Sequence, residues 1–215
     1  MHTKYSHDCS VEPALIVDTL FKENISVAII TDHNSIRGAV EAKAYAEKKY
    51  GDKFTVIVGE EVATDIGDII GFPLKDEIQL VDHRAVISNI KNQGGYVCLP
   101  HPYKSHNLLR IHDQDFIELL DFIEIFNSRT SEKLNDYAKE MADKFNKKVI
   151  VGSDSHVITE LLNTHFKFNE NMEIVESNTK YVTRRNYRIY QLMQNIKNRN
   201  LKECAEYAFL AILNK

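Results

Sequence analysis

Four short runs concentrate side chains that bind divalent metals: His2 with Asp8 shortly after it, Asp32-His33-Asn34, His101 between Pro100 and Pro102, and Asp154-Ser155-His156. Neutral imidazoles and ionised carboxylates are the usual ligands of zinc, manganese and iron, and carboxylates also bridge pairs of ions and screen their repulsion. A histidine before a proline is more often a turn residue, and a single Asp-His pair is common by chance. The signal is repetition, because three of the runs follow apolar, β-rich stretches at 26–31, 96–99 and 148–151. In a chain that alternates strand and helix, the strand C-termini gather on one face, so ligands far apart in sequence can meet there. Asp154 and His156 are expected to aim into one cavity if the backbone between them stays extended, since positions i and i+2 share a face.

The elements that would position these groups follow from periodicity. A helix is expected over 12–23, with Pro13 in its first turn, leading into the strand at 26–31. The next helix starts after Asn34 or Ser35, runs through the alanine-rich stretch 39–46 and stops at Gly51. Strands follow at 54–58 and 67–72, then a helix at 81–92 and a Gly94-Gly95 turn into the strand at 96–99. The alternation resumes with a strand at 122–126, a helix at 131–145 and a strand at 148–151 that ends on Gly152-Ser153-Asp154. Two apolar stripes, Ile189, Leu192, Met193 and Ile196, then Leu201, Cys204, Ala205, Ala208 and Ile212, predict two C-terminal helices. The plain reading packs them on the outside of the same domain, and the sharper one places them in a homodimer interface. Such βα repetition argues for an α/β domain of parallel strands. A barrel and an open doubly wound sheet both fit, and the lack of a glycine-rich phosphate loop after the early strands favours the barrel.

The 215 residues suit one domain, 1–215, with its core in 1–160 and the segment 161–215 packed against it. Hydrophobic residues at 43% and charged residues at 27% are ordinary for a globular protein and unlike a disordered one. No apolar run approaches the roughly 20 residues of a membrane-spanning helix, and no secretory signal opens the sequence, so a cytoplasmic location is the default expectation. Cys9, Cys98 and Cys204 form neither a CxxC pair nor a disulfide framework, and Cys98, in an apolar strand, reads as core. A net charge of −4 gives no footprint for a broad nucleic-acid surface but leaves room for a nucleotide in a local pocket. The basic run from Lys180 through Arg184, Arg185 and Arg188 reads as a solvated face.

Together these motifs resemble the PHP domain, the polymerase and histidinol phosphatase superfamily of metal-dependent phosphoesterases. Its HxH motif with a following T-x-x-S is similar to His2-Thr3-Lys4-Tyr5-Ser6 with Asp8 after it. Its second motif resembles Ile30-Thr31-Asp32-His33-Asn34 with the trailing Arg37-Gly38, and its GxE element resembles Gly59-Glu60-Glu61. Pro100-His101-Pro102 and Gly152-Ser153-Asp154-Ser155-His156 resemble the last two motifs, and Ile123-Glu124-Ile125-Phe126-Asn127-Ser128-Arg129 resembles a strand end of the small single-domain members.

The resemblance implies a distorted (β/α)7 TIM-like barrel with two or three divalent ions, zinc, manganese or iron, at the C-terminal face of its strands. It implies metal ligation by His2, Asp8, His33, Glu61, His101, Asp154 and His156, with Glu61 bridging. It also places the first His of HxH, and most of the first strand, ahead of Met1. Asp68 stands near where fuller members carry an additional His, and the third ion depends on it. The activity implied is hydrolysis of a phosphate ester of a small metabolite or nucleotide by metal-activated water. His7 and Asp32 are the candidate proton donors, Asp32 having a competing role in orienting ligands. Arg129 and Lys104 are the candidate phosphate-binding cations. The alternatives are a non-catalytic PHP-like module with a depleted metal site and a nuclease, the latter disfavoured by charge.

Overall fold

The computed structural model describes residues 1–103, 114–183, 187–188, 190–192 and 194. Six strands form one curled sheet in sequence order: β1 (Val27–His33), β2 (Thr55–Thr64), β3 (Gly67–Phe72), β4 (Tyr96–Leu99), β5 (Phe122–Asn127) and β6 (Lys148–Gly152). The sheet is a half-barrel. All neighbours pair parallel except β3, which is antiparallel to both β2 and β4. The expectation of wholly parallel strands fails here for a simple reason: only Asp65 and Ile66 separate β2 from β3. A hairpin closes over two residues, whereas a parallel crossover needs a dozen or more.

The helices that cover the sheet are α1 (Pro13–Lys22), α2 (Arg37–Tyr50), α3 (His83–Asn92), α4 (Gln114–Glu118) and α5 (Glu132–Lys144). α1 carries Pro13 in its first turn, and α2 yields to Gly51, whose φ of 55° suits a residue without Cβ. α3 begins two residues later than its pattern suggests because Asp82 caps it, accepting from Ala85 N at 2.8 Å. Ala39, Ala42 and Ala46 bury the inner stripe of α2 against Ile16, Val17 and Leu20 of α1 and the outward residues Ala28, Ile30, Val56 and Val58 of the sheet. The opposite face of the sheet holds a second, smaller cluster of Phe72, Cys98 and Phe122 with Ile29, Ile57, Ile70 and Ile150. Cys98 is thus core, as read from its apolar strand.

A separate hairpin, β7 (Thr164–Phe168) with β8 (Ile174–Thr179), was not legible in the sequence. Its strands are largely exposed and polar, so the apolar alternation that betrays a strand is weak. At the other end of the chain, Thr31 N donates to Met1 O at 3.0 Å and His2 N to Ser155 O at 3.0 Å, which ties the first residues between the ends of β1 and β6. Residues 187–188, 190–192 and 194 have helical backbone, and Gln194 Nε2 donates to Asp8 O. These residues therefore lie against the loop that carries Asp8, at the strand ends. The second predicted C-terminal helix lies outside the described residues. Among the described residues no helix is long and apolar enough to cross a membrane.

Candidate metal centre

The parallel pairing of β1 with β2 sets His33 opposite Glu61 and Asp32 opposite Glu60. Side chains alternate across a strand, so this register sends His33 and Glu61 to the concave face while Asp32 and Glu60 point toward the helices. Asp32 is fully buried and accepts from Thr3 N at 2.5 Å, Thr3 Oγ1 at 2.7 Å and Ser6 Oγ at 2.9 Å. That geometry suits orientation of the N-terminal segment and not proton transfer at the concave face. Glu60 Oε2 accepts from Ile78 N at 2.9 Å while Oε1 is buried without a partner among the described residues, and burial pushes the carboxyl up to about 7.

Asp32 acts on the concave face through Ser6. The Ser6 hydroxyl donates to Asp32, accepts from His33 N at 2.9 Å, and lies 3.1 Å from His2 Nδ1. With its proton committed to Asp32, Ser6 Oγ is an acceptor for His2, which assigns the imidazole proton to Nδ1 and leaves the Nε2 lone pair facing the cavity. His2 Nε2 lies 3.1 Å from Asp154 Oδ1 and 3.4 Å from Glu61 Oε2. Glu61 Oε1 lies 3.2 Å from His101 Nε2. Asp8 Oδ2 lies 2.8 Å from His156 Nε2 and 3.5 Å from His33 Nε2, and the rings of His33 and His156 flank His2 with centroids 4.5 and 4.3 Å away.

These groups fall into three linked sets whose ligand atoms lie within 4.8 Å of one another: His2, Asp8, His33 and His156; His2, Glu61 and Asp154; and Glu61, Asp68 and His101. His2 joins the first two and Glu61 the last two. Bond lengths of about 2.0–2.3 Å to a common cation put neighbouring ligand atoms roughly 2.8–3.8 Å apart, and the separations of 2.8 Å to 3.5 Å between these groups match. Asp8 Oδ1 is buried with no hydrogen-bond partner among the described residues, a cost that a coordinated cation would remove. A fourth set, Asp65, Asp82 and His83, is accounted for by the start of α3, where Asp65 Oδ1 accepts from His83 N at 2.9 Å.

Titration of the pocket reflects the same crowding. Burial, with His156 beside it, holds His2 down at about 4. Burial also opposes charge on His33, but the Asp8 hydrogen bond and the Glu61 and Asp154 charges outweigh it and lift the ring to about 9. Asp8 is buried as well, yet His156 and His33 hold its carboxyl well below the carboxylate range.

Strand ends supply the aim. His101 and Asp154 have φ of 30° and 47°, so both leave their strands through left-handed backbone. Asp154 and His156 therefore converge by a turn and not by the extended geometry expected of them, a conformation that a non-glycine residue holds only where surrounding structure fixes it. Glu124, which the sequence reading left without a role, does part of that fixing: Oε2 accepts from His101 N at 2.8 Å and Asn127 Nδ2 at 3.0 Å. A Cβ on Gly152 would collide with Glu124 Oε1, so the glycine is what admits this carboxylate.

Above the ligands opens a cleft of about 730 Å³. Arg129 lines it, with Nη1 bound to Glu160 at 2.8 and 3.1 Å and the guanidinium stacked 4.0 Å from the Tyr190 ring. Glu160 also accepts from His156 N at 3.0 Å, which links the cation to the ligand loop. His7 is exposed at the rim, its ring 5.2 Å from that of His33. Lys104 lies outside the described residues. The sequence reading missed Tyr181, Tyr187, Arg188 and Tyr190, all of which line the cleft. Arg188 is half-buried there and not on a solvated face. The only available signal was the spacing of Tyr187 and Tyr190, three apart on one helical face.

The PHP domain family model matches residues 1–190. Two uncharacterised proteins of Methanocaldococcus jannaschii are similar. One is 37% identical over 67% of this chain and 92% of its own length, and the other is 32% identical over 75% and 66%. Among solved structures, a two-domain Bacteroides vulgatus protein containing a predicted PHP-like metal-dependent phosphoesterase superposes with a TM-score of 0.60 at 20% identity, over 73% of this chain and half of that one. A protein from Bifidobacterium adolescentis described as a "putative metal-dependent phosphoesterase" gives 0.59 at 15% identity over 90% and 94%. An amidohydrolase from Chromobacterium violaceum, with bound sulfate, gives 0.59 at 14% identity over 88% and 94%.

Proposed function

The chain belongs to the PHP domain family, and on that premise we propose that it is a metal-dependent phosphoesterase acting on a small phosphorylated metabolite or nucleotide. The observation that carries this reading is the meeting of His2, Asp8, His33, Glu61, Asp68, His101, Asp154 and His156 in three sets that share His2 and Glu61. Ions bound there would supply Lewis-acid neutralisation of the phosphoryl oxygens and a water acidic enough to ionise near neutral pH.

The remaining work falls to the chain's own groups. The Asp32–Ser6 relay presents His2 as an Nε2 donor, and Glu61 spans two sets with its two oxygens. Arg129, anchored through Nη1 by Glu160, lines the cleft, and the planar fork of a guanidinium there would match a phosphate oxygen pair. His7, at the rim beside His33, is the remaining candidate to protonate the leaving alkoxide, and Asp32 serves as a positioning residue. Elemental analysis of the purified protein, with hydrolysis of p-nitrophenyl phosphate and mononucleotides under added Mn2+ or Zn2+, tests the reading. Turnover lost in Asp154→Ala together with bound metal supports it. Metal retained with no turnover of any phosphate ester overturns it in favour of a non-catalytic module.

A further inference from the structure

The strand-end ligands say where a phosphate would sit, but the wall of the cleft is made by a different part of the chain. Tyr190 presents one ring face to the Arg129 guanidinium at 4.0 Å and meets the His156 ring at 5.2 Å and 75°, so its orientation is fixed from two sides. Tyr187 stands one helical turn before it, with ring centroids 6.1 Å apart and planes inclined by 42°. Unlike Tyr190, Tyr187 is 52% exposed, and among the described residues Tyr190 is its one ring contact. Arg188 lies between them in sequence and also lines the cleft.

A single exposed tyrosine is ordinary on a protein surface. Here, however, the exposed ring stands on the wall of a cleft floored by the ligand carboxylates and imidazoles, next to a second, immobilised tyrosine and two guanidiniums. We propose that Tyr187, backed by Tyr190, is a stacking platform for a planar ring carried by the substrate, so that the preferred esters are phosphates of heteroaromatic alcohols of nucleoside size. The inference rests on the phosphoesterase reading for the position of the phosphate. Arg129 and the ligand sets fix that end, and the other end of the substrate must leave the floor along the wall that Tyr187 lines. A polyol phosphate would leave the ring in water, whereas a base covers it, and stacked bases owe affinity to the aromatic face without needing a sequence of hydrogen bonds. The volume of about 730 Å³ is of the size that encloses a small ligand of this kind.

AMP and ribose 5-phosphate share their phosphate and reacting alcohol and differ only by the ring, so they isolate the effect. With the full chain loaded with Mn2+, AMP is expected to exceed ribose 5-phosphate in kcat/KM by tenfold or more. Tyr187→Ala is expected to cut that ratio about tenfold and Tyr187→Phe to preserve it. A ratio near one in the wild-type protein, or a ratio untouched by Tyr187→Ala, overturns the proposal. If the Mn2+ protein hydrolyses neither ester, the phosphoesterase reading fails by itself only where p-nitrophenyl phosphate and other phosphate esters also stay intact. Ring recognition is then decided by the Kd values of the same two compounds from calorimetry, with the same ratios as criteria.

Discussion

Gly38→Ala sets two effects of opposite sign against each other. Gly38 is the second residue of α2 and is buried. In a helix, replacing glycine by alanine ordinarily stabilises by about 0.5–1 kcal/mol, because the unfolded chain has fewer conformations to lose. A Cβ at this position, however, would overlap both Asp32 Oδ2 and Thr3 Oγ1 and come within 3.0 Å of Thr3 Cγ2. The first two atoms are the partners of one hydrogen bond, 2.7 Å long, so the methyl group enters where that bond now runs. Losing a hydrogen bond to a buried carboxylate costs about 1.5–3 kcal/mol, and overpacking adds about 1–3 kcal/mol. The net expectation is a destabilisation of about 2–5 kcal/mol, or a Tm lower by about 5–15 °C for a chain of this size. Because Asp32 holds Ser6, and Ser6 holds both His2 Nδ1 and His33 N, the same substitution is expected to lower bound metal. Calorimetric melting and elemental analysis read the two effects. A Tm raised by a few degrees with full metal content would refute the reasoning, since it would mean that Thr3 and Asp32 do not occupy that space.

Other substitutions probe separate parts of the site. The carboxyl of Glu60 titrates at about 7 in the folded chain and near 4.5 in the unfolded one, so the folded state holds its proton longer and stability falls as pH rises between those values. Glu60→Gln removes the loss, which is at most about 3 kcal/mol at 1.36 kcal/mol per pKa unit. Urea melts should therefore show the variant gaining on the wild type between pH 5 and pH 8, and a constant gap would rule the assignment out. Glu61→Gln weakens the two sets that share it but leaves His2, Asp8, His33 and His156, so metal content should drop further than in Asp68→Ala without vanishing. Arg129→Lys cannot keep both the two contacts to Glu160 and the stack on Tyr190, and KM for a phosphate ester should rise about tenfold with a smaller change in kcat. Steady-state kinetics at saturating Mn2+ would expose the opposite pattern.

Much of the candidate site was legible because ligand chemistry is a property of residue type. His33, His101, Asp154 and His156 follow short apolar, β-rich runs, and the repetition of that arrangement points to a common face. The sheet was legible for the same reason, except at β3, where the sequence shows an apolar strand but not its direction. Direction there is decided by a two-residue connection that closes a hairpin. The β7–β8 hairpin escaped notice because its strands bury too little to leave a pattern.

Residue types and their period thus established an α/β chain with imidazoles and carboxylates at successive strand ends. Only the tertiary structure decided which neighbour in each pair faces the concave cavity, since Asp32 and His33, or Glu60 and Glu61, are equally good candidate ligands in one dimension and are separated by the register of β1 on β2. It also brought residues 187–188, 190–192 and 194 over the strand ends, where Tyr187, Arg188 and Tyr190 wall the cleft. Helical periodicity specifies that such a face must pack, but which surface receives it depends on contacts with distant residues such as Arg129 and Asp8, and no local pattern encodes those.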